Sequence, residues 1–474
     1  MFGSADAIDC VLAMGCSARA ESRAIAERLA AVARLHALRT REHPGAEHWV
    51  VDVTEAVAAE VSAAQNISRS RAVSQVRMAV SLHSRLPGVA AVFSRGEIDL
   101  RMVRIVLNRT DNVESDVVAA LDAVIAPKLI GWMRLSENKL KDRVDQWVAT
   151  FDPAGVRVPP DFRDNLYFSV EPHVPGTAFA GGRLNALDAA ALDKRLDALA
   201  ATVCEADPRT AMQRRAAACG ALGRGESTLA CCCASPDCSA AALEASAARI
   251  VVHILAEEAT VDGSSDAPGY LDGFGILPAE EVLNASAGAE VRPVRRPSDD
   301  AECGYRPSRQ LAGFLHWRDL TCRFPGCDAP AQRCDVDHTT PWPAGATHTS
   351  NTKLYCRVHH LIKTFYTGAN GWRDEQRPDG TVVLIAPTGL VYVTDPHGGQ
   401  LFPSLLLSTG SLRDSESVPG TSNKIAMMPR RRATREQDRR DRVARERRQR
   451  LELDAELERQ HQARLAETYE PPPF

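Results

Sequence analysis

Four cysteines lie between positions 322 and 356 of this 474-residue chain, close to three histidines. They are Cys322, Cys327, Cys334, Cys356, His338, His359 and His360. In a long chain without a secretory leader, clustered cysteines indicate metal ligands more often than disulfides. Residues that bind one ion must meet in space, so this stretch constrains the fold more than any other feature of the sequence.

The spacing of these residues predicts a structural zinc site. Cys322 and Cys327 flank a Pro-Gly turn that can bring both sulfurs to one ion. Cys356 and His359 are three apart and share one face if their segment is helical. Three cysteines and one histidine form a closed tetrahedral set. Cys334 is the rival fourth ligand. We prefer His359 because two paired knuckles are the commoner geometry, and unliganded core cysteines are the alternative.

A second set of polar residues is interleaved with the cysteines. His360 directly follows His359, so on a helix it projects about 100° away from the zinc, and Lys363 lies on the His360 face. Asp337 and His338 are neighbours in a segment that can be extended, where successive side chains point to opposite faces. One of them can then bind a metal while the other meets a water. Phosphodiester hydrolysis needs an oxygen ligand, a cation at the phosphate and a base for water.

Together with Asn351, these residues resemble the HNH, or ββα-metal, nuclease motif in its zinc-containing form. The resemblance makes Asp337 and His360 the ligands of a catalytic divalent ion, Mg²⁺ or another divalent metal. It makes His338 the general base that activates water, and Lys363 a DNA contact at the phosphate. It also makes Asn351 the residue that restrains the loop and orients the base. If His360 held the zinc instead of His359, the metal assignment would change and the base would not.

The wider chain resembles the 13E12 repeat family of mycobacteria and other actinobacteria, in which an α-rich domain of unknown function precedes a C-terminal HNH domain. The resemblance covers residues 19–395 and includes Gly182-Arg-Leu, Asp207-Pro-Arg-Thr and Tyr305-Arg-Pro-Ser. These three motifs bring no chemistry with them. Within the HNH segment, the usual Gly-Gly of the loop is Gly345-Ala346 here, and the usual Asn-Leu is Asn351-Thr352.

Apolar periodicity predicts an α-rich N-terminal domain over residues 1–267, with helices near 99–107, 115–126 and 136–149. Val73, Val76 and Val80 share one helical face, and Leu86-Pro87-Gly88 ends that helix. Short runs at 165–170 and 249–255 are typical of strands. These patterns indicate core packing rather than a binding site.

The remaining chain is divided by composition into three segments. Residues 268–307 form a connector rich in Gly, Pro and Ser, residues 308–400 form the HNH domain, and residues 401–474 form a disordered linker and an arginine-rich tail. The runs at 381–385 and 390–393 predict a hairpin. The expected fold class is α+β: a mainly α-helical N-terminal domain, a small zinc-containing ββα-metal domain and a disordered or helical basic tail.

Charge is distributed unevenly. Eleven arginines and four acidic residues between Arg430 and Arg450 give a local charge of +7, which leaves −11 on the rest of a chain of net charge −4. The tail either contacts phosphates non-specifically or forms a solvated helix of mixed charge.

Two weaker features of the sequence have structural interpretations. Cys231-Cys232-Cys233 with Cys238 repeats the spacing of five residues between Cys322 and Cys327. No Cys-x2-His or Cys-x2-Cys follows it nearby, so loop thiols are the preferred interpretation and a second metal site is the alternative. Trp317 and Trp342 flank the HNH segment, and packing in the core is preferred for them over stacking on a base.

The predicted function is a metal-dependent endonuclease that hydrolyses phosphodiester bonds in DNA. The alternative is a zinc-containing DNA-binding or regulatory protein of a mobile or repetitive element, without nuclease activity. No run of 18 or more apolar residues is present, so no membrane partner is expected. The N-terminus lacks a basic start followed by an apolar run, so the expected location is the cytoplasm. The pattern does not predict an oligomeric state.

Overall fold

The computed structural model describes residues 5–158, 166–238, 252–367, 371–406 and 427–468. The chain divides into two compact units, one formed by residues 1–159 with 294–474 and the other by residues 160–293. Helices and several small sheets make the architecture α+β, as predicted. Among the described residues, no helix combines the length and the apolar character needed to cross a lipid bilayer.

The first unit begins with α-helices at Ala5–Glu42 (α1), Val53–Gln65 (α2), Arg69–Arg85 (α3), Pro87–Ser94 (α4), Leu100–Arg109 (α5), Val118–Trp132 (α6) and Glu137–Phe151 (α7). The predicted helices near 99–107, 115–126 and 136–149 are confirmed. Helix α3 ends at Arg85, just before Leu86-Pro87-Gly88, as the sequence indicated. The Asp52 and Asp99 carboxylates accept hydrogen bonds from the first turns of α2 and α5.

These helices enclose an apolar core that includes Leu29, Val57, Val76, Phe93 and Leu121, all at most 1% exposed. The Asp122 carboxylate is buried below the start of α4, where it accepts hydrogen bonds from the Gly88 and Val89 amides at 2.6 and 3.0 Å. A Cβ at Gly88 would lie 2.8 Å from that carboxylate. Glycine at position 88 therefore allows the start of α4 to lie close to the Asp122 carboxylate.

The second unit contains Tyr167–Pro172 (β1), Ala178–Arg183 (β2), Ala186–Ala200 (α8), Ala211–Gly223 (α9), Ile254–Leu255 (β3), Glu258–Val261 (α10), Gly269–Leu271 (β4), Gly275–Leu277 (β5) and Ala279–Ser286 (α11). Strands β1 and β2 form an antiparallel hairpin, and β4 lies between β3 and β5. The strand predicted at 165–170 corresponds to β1, and only its first predicted position, residue 165, lies outside the described residues. Residues 249–251 of the strand predicted at 249–255 lie outside the described residues, and β3 covers only its last two positions. The predicted connector carries β4, β5 and α11.

The first unit resumes with Arg309–Asp319 (α12), Cys334–His338 (β6), Thr352–Cys356 (β7), Arg357–Phe365 (α13), Arg373–Gln376 (β8), Val382–Ile385 (β9), Val391–Thr394 (β10), His397–Leu401 (α14) and Arg435–Thr468 (α15). Strands β6 and β7 are antiparallel, with Asp337 opposite Lys353. Strands β9 and β10 form the predicted hairpin, and β8 pairs with the other edge of β9.

The segment from α12 to β10 shares its core with helix α2. Ala56, Ala59 and Ala63 of α2 belong to the same buried cluster as Phe324, Tyr355 and Trp372. The Tyr366 hydroxyl donates to the Val51 carbonyl at 2.9 Å, and the Ser62 hydroxyl donates to the Pro325 carbonyl at 3.2 Å. The domain limits predicted along the chain remain predictions. In space, the cysteine/histidine stretch and the N-terminal helices belong to one unit.

Helix α15 lies against the N-terminal helices through ion pairs. Arg435 contacts Asp52 and Glu55, Arg442 contacts Asp111, and Arg447 contacts Asp152. The tail is therefore helical over Arg435–Thr468, and these three arginines pair with acidic side chains while 19–34% of each remains exposed. Contact of the tail with phosphate remains a prediction. Residues 407–426, most of the predicted disordered linker, lie outside the described residues.

Candidate metal centre and active site

The predicted site residues lie on two antiparallel strands and the helix that follows them. Strand β6 carries Asp337 and His338 at its end, β7 leads directly into α13, and α13 carries His359, His360 and Lys363. Asp319 accepts a hydrogen bond from the Leu354 amide at 2.9 Å and forms ion pairs with Arg318 and Arg323. All three charged side chains are at most 2% exposed, so this network fixes β7 to helix α12.

The structure brings together the donor atoms of Cys322, Cys327, Cys356 and His359, all within 4.8 Å of one another. His359 Nδ1 lies 3.5 Å from Cys322 Sγ and 3.3 Å from Cys356 Sγ. A tetrahedral ion with bonds of ~2.3 Å to sulfur and ~2.0–2.1 Å to nitrogen separates such ligands by about 3.5 Å. The cluster could therefore hold a metal ion such as zinc.

Packing around this cluster fixes its ligands. The His359 ring stacks on Phe324 with centroids 3.9 Å apart and an interplanar angle of 9°. Gly326 has φ +73°, and a Cβ there would approach the Ile67 carbonyl oxygen to 2.5 Å. The Pro-Gly turn between the first two cysteines is therefore pressed against the end of α2 and requires glycine.

Cys334, the rival fourth ligand, lies outside this set of four donors, although its thiol contacts that of Cys322. Its sulfur faces the Ala329 and Pro330 carbonyl oxygens at 3.6 and 3.4 Å. Hydrogen bonds from Cys322 and Cys327 hold the pKa of the Cys356 thiol well below its usual range. Burial raises the pKa of the Cys322 thiol.

Asp337 and His360 face one another next to this cluster. Asp337 Oδ1 lies 3.5 Å from His360 Nε2, which is longer than a hydrogen bond. His360 Nδ1 lies 2.9 Å from Asp335 Oδ2 and can donate its hydrogen there. In the neutral imidazole, that bond places the hydrogen on Nδ1 and leaves the Nε2 lone pair directed at Asp337. A histidine that donates through one nitrogen to a carboxylate and presents the other to an acidic residue is typical of a metal ligand.

Two lysines hold the other oxygen of Asp337. Lys353 Nζ and Lys363 Nζ lie 3.1 and 2.7 Å from Asp337 Oδ2. Lys353 is fully buried and also contacts Asp374 at 2.6 Å. Burial alone would raise the pKa of Asp337, but the two ammonium groups outweigh it and hold that pKa below its usual value. The carboxylate is therefore ionised, as a metal ligand must be.

Lys363 has its charged end inside the site. Its ammonium group donates to the His338 carbonyl and, at 3.2 Å, to the Thr339 carbonyl, and its side chain is 13% exposed. It thus fixes the end of β6. Contact with a phosphate at this position remains a prediction.

His338, the predicted base, is 6% exposed. Its Nε2 lies 2.8 Å from Thr347 Oγ1, and that hydroxyl donates to the Gly304 carbonyl at 2.6 Å. Because the hydroxyl hydrogen is used there, Thr347 accepts from His338 Nε2–H. The free lone pair is therefore on Nδ1. Burial lowers the pKa of His338, which favours the neutral imidazole.

Asn351 restrains the loop that follows β6. Its Oδ1 accepts from the Thr340 amide at 2.8 Å, and its Nδ2 donates to the Thr340 and Ala346 carbonyls at 3.0 and 2.8 Å. A Cβ at Gly345 would lie 2.6 Å from Asn351 Nδ2. Thr352, at the second unusual position, donates to the His348 carbonyl at 2.7 Å. Both departures from the motif are thus accommodated within the hydrogen-bonded loop.

Sequence reasoning missed Asp335, Lys353, Asp374 and Tyr305. Asp335 is two residues before Asp337, so strand alternation could have placed it on the same face. The Tyr305 ring stacks on His338 with centroids 5.4 Å apart, and it also contacts Trp342. Trp342 is 44% exposed, so packing in the core, the preferred interpretation for this residue, is wrong. One exposed aromatic ring therefore stacks on the predicted base, and a second contacts the first.

Comparison with known proteins places the chain in a family. Residues 16–319 match the model described as a domain of unknown function, DUF222. The chain belongs to the DUF222 family. The matched region includes the Asp207-Pro-Arg-Thr and Tyr305-Arg-Pro-Ser motifs and ends just before Cys322.

Relatives of this DUF222 chain occur in Mycobacterium tuberculosis. The uncharacterized protein Rv3776 of strain H37Rv is 40% identical, over 96% of this chain and 92% of its own length. The uncharacterized protein Rv2100 of the same strain is 41% identical, over 88% and 83%. An uncharacterized protein in the est 3′ region is 38% identical, over 63% and 92%. No solved structure is significantly similar to the chain.

Proposed function

We propose that this DUF222 protein is a metal-dependent endonuclease of the HNH type that hydrolyses phosphodiester bonds in DNA. The observation that carries the proposal is the pair Asp337 Oδ1 and His360 Nε2, 3.5 Å apart on a strand and the helix of a ββα segment. His338 follows Asp337 directly. The motif resemblance to HNH nucleases and to the 13E12 repeat family points the same way.

The residues fit a divalent ion. The carboxylate held ionised by two lysines is the oxygen donor that Mg²⁺ prefers, and the histidine oriented by Asp335 is a donor that divalent transition-metal ions accept. Two protein ligands would leave the remaining positions of such an ion to water and phosphate. When bound, such an ion would stabilise negative charge on the phosphate as a Lewis acid.

His338 is then the general base. Its Nδ1 takes a proton from the attacking water, the water oxygen bonds to phosphorus, and the bond from phosphorus to the 3′ oxygen breaks. The 3′ oxygen leaves as a hydroxyl after it gains a proton from solvent. Thr347 keeps the histidine in the required tautomer, and Asn351 fixes the loop between them. In this proposal the Cys322, Cys327, Cys356 and His359 cluster binds a structural zinc.

Nicking of supercoiled plasmid in Mg²⁺ or Mn²⁺ tests the proposal. His338→Ala is expected to lower the nicking rate by at least ~10²-fold, the usual contribution of a general base. His461→Ala, at an exposed histidine on α15, is the matched control and should nick like the unmodified protein. Equal nicking by His338→Ala and the control would overturn the assignment of the base.

A second candidate is a zinc-containing protein that binds DNA, or regulates a mobile or repetitive element, without cutting. The two lysines on Asp337 Oδ2 favour it, because they already compensate the charge that a catalytic metal would otherwise balance. DNA binding without cleavage in Mg²⁺, Mn²⁺, Co²⁺ and Ni²⁺ would support this candidate. Metal-dependent nicking that is lost in Asp337→Ala would exclude it.

A further inference from the structure

Four cysteines of the second unit converge away from the site described above. Cys204 lies in the loop after α8, and Cys231, Cys233 and Cys238 lie in the loop after α9. Their sulfurs all lie within 4.8 Å of one another, and those of Cys204 and Cys231 are 3.5 Å apart. A tetrahedral ion with sulfur bonds of ~2.3 Å spaces its sulfurs by about 3.8 Å.

Hydrogen bonds hold the two loops in this arrangement. Asp207 Oδ2 accepts from the Cys232 amide at 3.0 Å and pairs with Arg209, whose guanidinium donates to the Ala230 carbonyl at 2.7 Å. Thr202 accepts from the Leu229 amide at 2.8 Å. The Asp207-Pro-Arg-Thr motif, which had no predicted role, thus fixes the backbone on which two of the cysteines lie.

The loop after α9 places Cys231 and Cys233 in the cluster and leaves Cys232 outside it. Ala234 has φ +55°, and the Cys238 amide donates to the Ser235 carbonyl at 3.2 Å. This turn returns the chain so that Cys238 meets Cys233, while Cys232 between the other two is exposed. In an extended segment, side chains two residues apart lie on the same face, so Cys231 and Cys233 can bind one ion while Cys232 points away from it.

The described part of α8, α9 and their loops has little apolar core. Its buried apolar side chains are Leu199, Ala218, Ala221 and Leu229. The adjoining hairpin leaves Tyr167, Phe168 and Phe179 more than half exposed. Small elements with so little buried apolar surface are commonly stabilised by a metal ion or disulfides.

We propose that Cys204, Cys231, Cys233 and Cys238 bind a second structural zinc ion. Four sulfur ligands fill a tetrahedral site and leave no position for a substrate, so the ion supports the fold and takes no part in catalysis. The site would join the loop after α8 to the loop after α9 with Asp207 as a second support. It does not depend on the nuclease function.

Metal content of the full-length protein, purified under reducing conditions, tests this proposal. The unmodified protein should hold about two zinc ions per chain, and Cys233→Ser and Cys322→Ser about one each, because each removes a ligand from a different site. Cys232→Ser is the matched control and should keep both ions. A zinc content that Cys233→Ser leaves unchanged would overturn the proposal, whatever the occupancy of the site at Cys322.

Alkylation of the unmodified protein avoids any dependence on how the variants fold. With zinc bound, the four cysteines should react slowly, and a strong chelator should make them react as fast as Cys232. Rapid alkylation of the four before chelation would contradict the proposal. So would protection that only a reductant removes, because that result would indicate disulfides.

Discussion

The His338 Nε2 atom lies 2.8 Å from the Thr347 hydroxyl, which is itself committed to the Gly304 carbonyl at 2.6 Å. This chain of two hydrogen bonds determines which nitrogen of the imidazole carries the hydrogen. It also anchors the base to the backbone beside Tyr305, whose ring stacks on it. The segment before α12 therefore participates in arranging the site.

Replacing Thr347 by valine should lower the nicking rate about fivefold, since loss of one net hydrogen bond is worth ~1 kcal/mol. The orientation of His338 would be lost while the side-chain shape is kept. Thr347→Ser retains the hydroxyl and should restore most of the rate. A plasmid nicking assay at saturating Mn²⁺ measures both. Equal rates for the two variants would show that the hydroxyl does not act on the base.

The pH dependence of nicking should reflect the environment of His338. Burial lowers its pKa below the ordinary value of 6.5, with a partial opposing effect of Asp337. A lowered pKa means that the imidazole stays neutral, and able to accept a proton, to a lower pH. The acidic limb of the rate profile at saturating metal should therefore have its midpoint below pH 6.5. A midpoint above that value would contradict this environment.

Asp335→Asn should weaken catalytic metal binding about 10–100-fold, the usual effect of removing a carboxylate partner from a liganding histidine. The change removes the charge that orients His360. The metal concentration needed for half-maximal nicking measures the effect, and the maximal rate should change less.

The matched control for this variant is Asp328→Asn, at an exposed residue in the loop before β6. It removes the same charge without touching His360, so the metal requirement should stay unchanged. An equal rise in both variants would indicate a general effect of lost negative charge and not the loss of the Asp335 contact.

The ion pairs of helix α15 predict that its arginines differ in their roles. Arg447 pairs with Asp152 at 2.6 Å, whereas Arg448 on the same helix is exposed. Arg447→Ala should therefore speed tryptic cleavage of the tail, because a partly buried ion pair is lost. Arg448→Ala removes the same charge and should not. Equal cleavage of the two variants would show that the pairing does not hold the helix.

The sequence predicted the cysteine cluster well because its spacing is local. A Pro-Gly turn joins Cys322 to Cys327, and one helical turn joins Cys356 to His359, so only two short pieces had to meet. The adjacent Asp337 and His338 were likewise found from strand geometry and the motif. The resemblance supplied the role of Asn351, and its hydrogen bonds to the Thr340 backbone are consistent with that role.

Other parts of the site depend on contacts between distant residues. The partners of the buried Lys353 are Asp337, on β6, and Asp374, on a strand of another sheet. The tail arginines looked free because their partners Asp52, Asp111 and Asp152 precede them by 295 to 383 residues. Neither periodicity nor local spacing carries information about such pairs.

The shared core of α2 and the segment around Phe324 has a consequence for exchange of parts between relatives. Ala56, Ala59 and Ala63 belong to one buried cluster with Tyr355 and Trp372. Consider a hybrid chain with residues after 308 from one relative and the N-terminal helices from another. Its α2 and its metal-binding segment would pack against each other with side chains that come from different proteins. We therefore expect functional hybrids to require α2 and the metal-binding segment from the same parent.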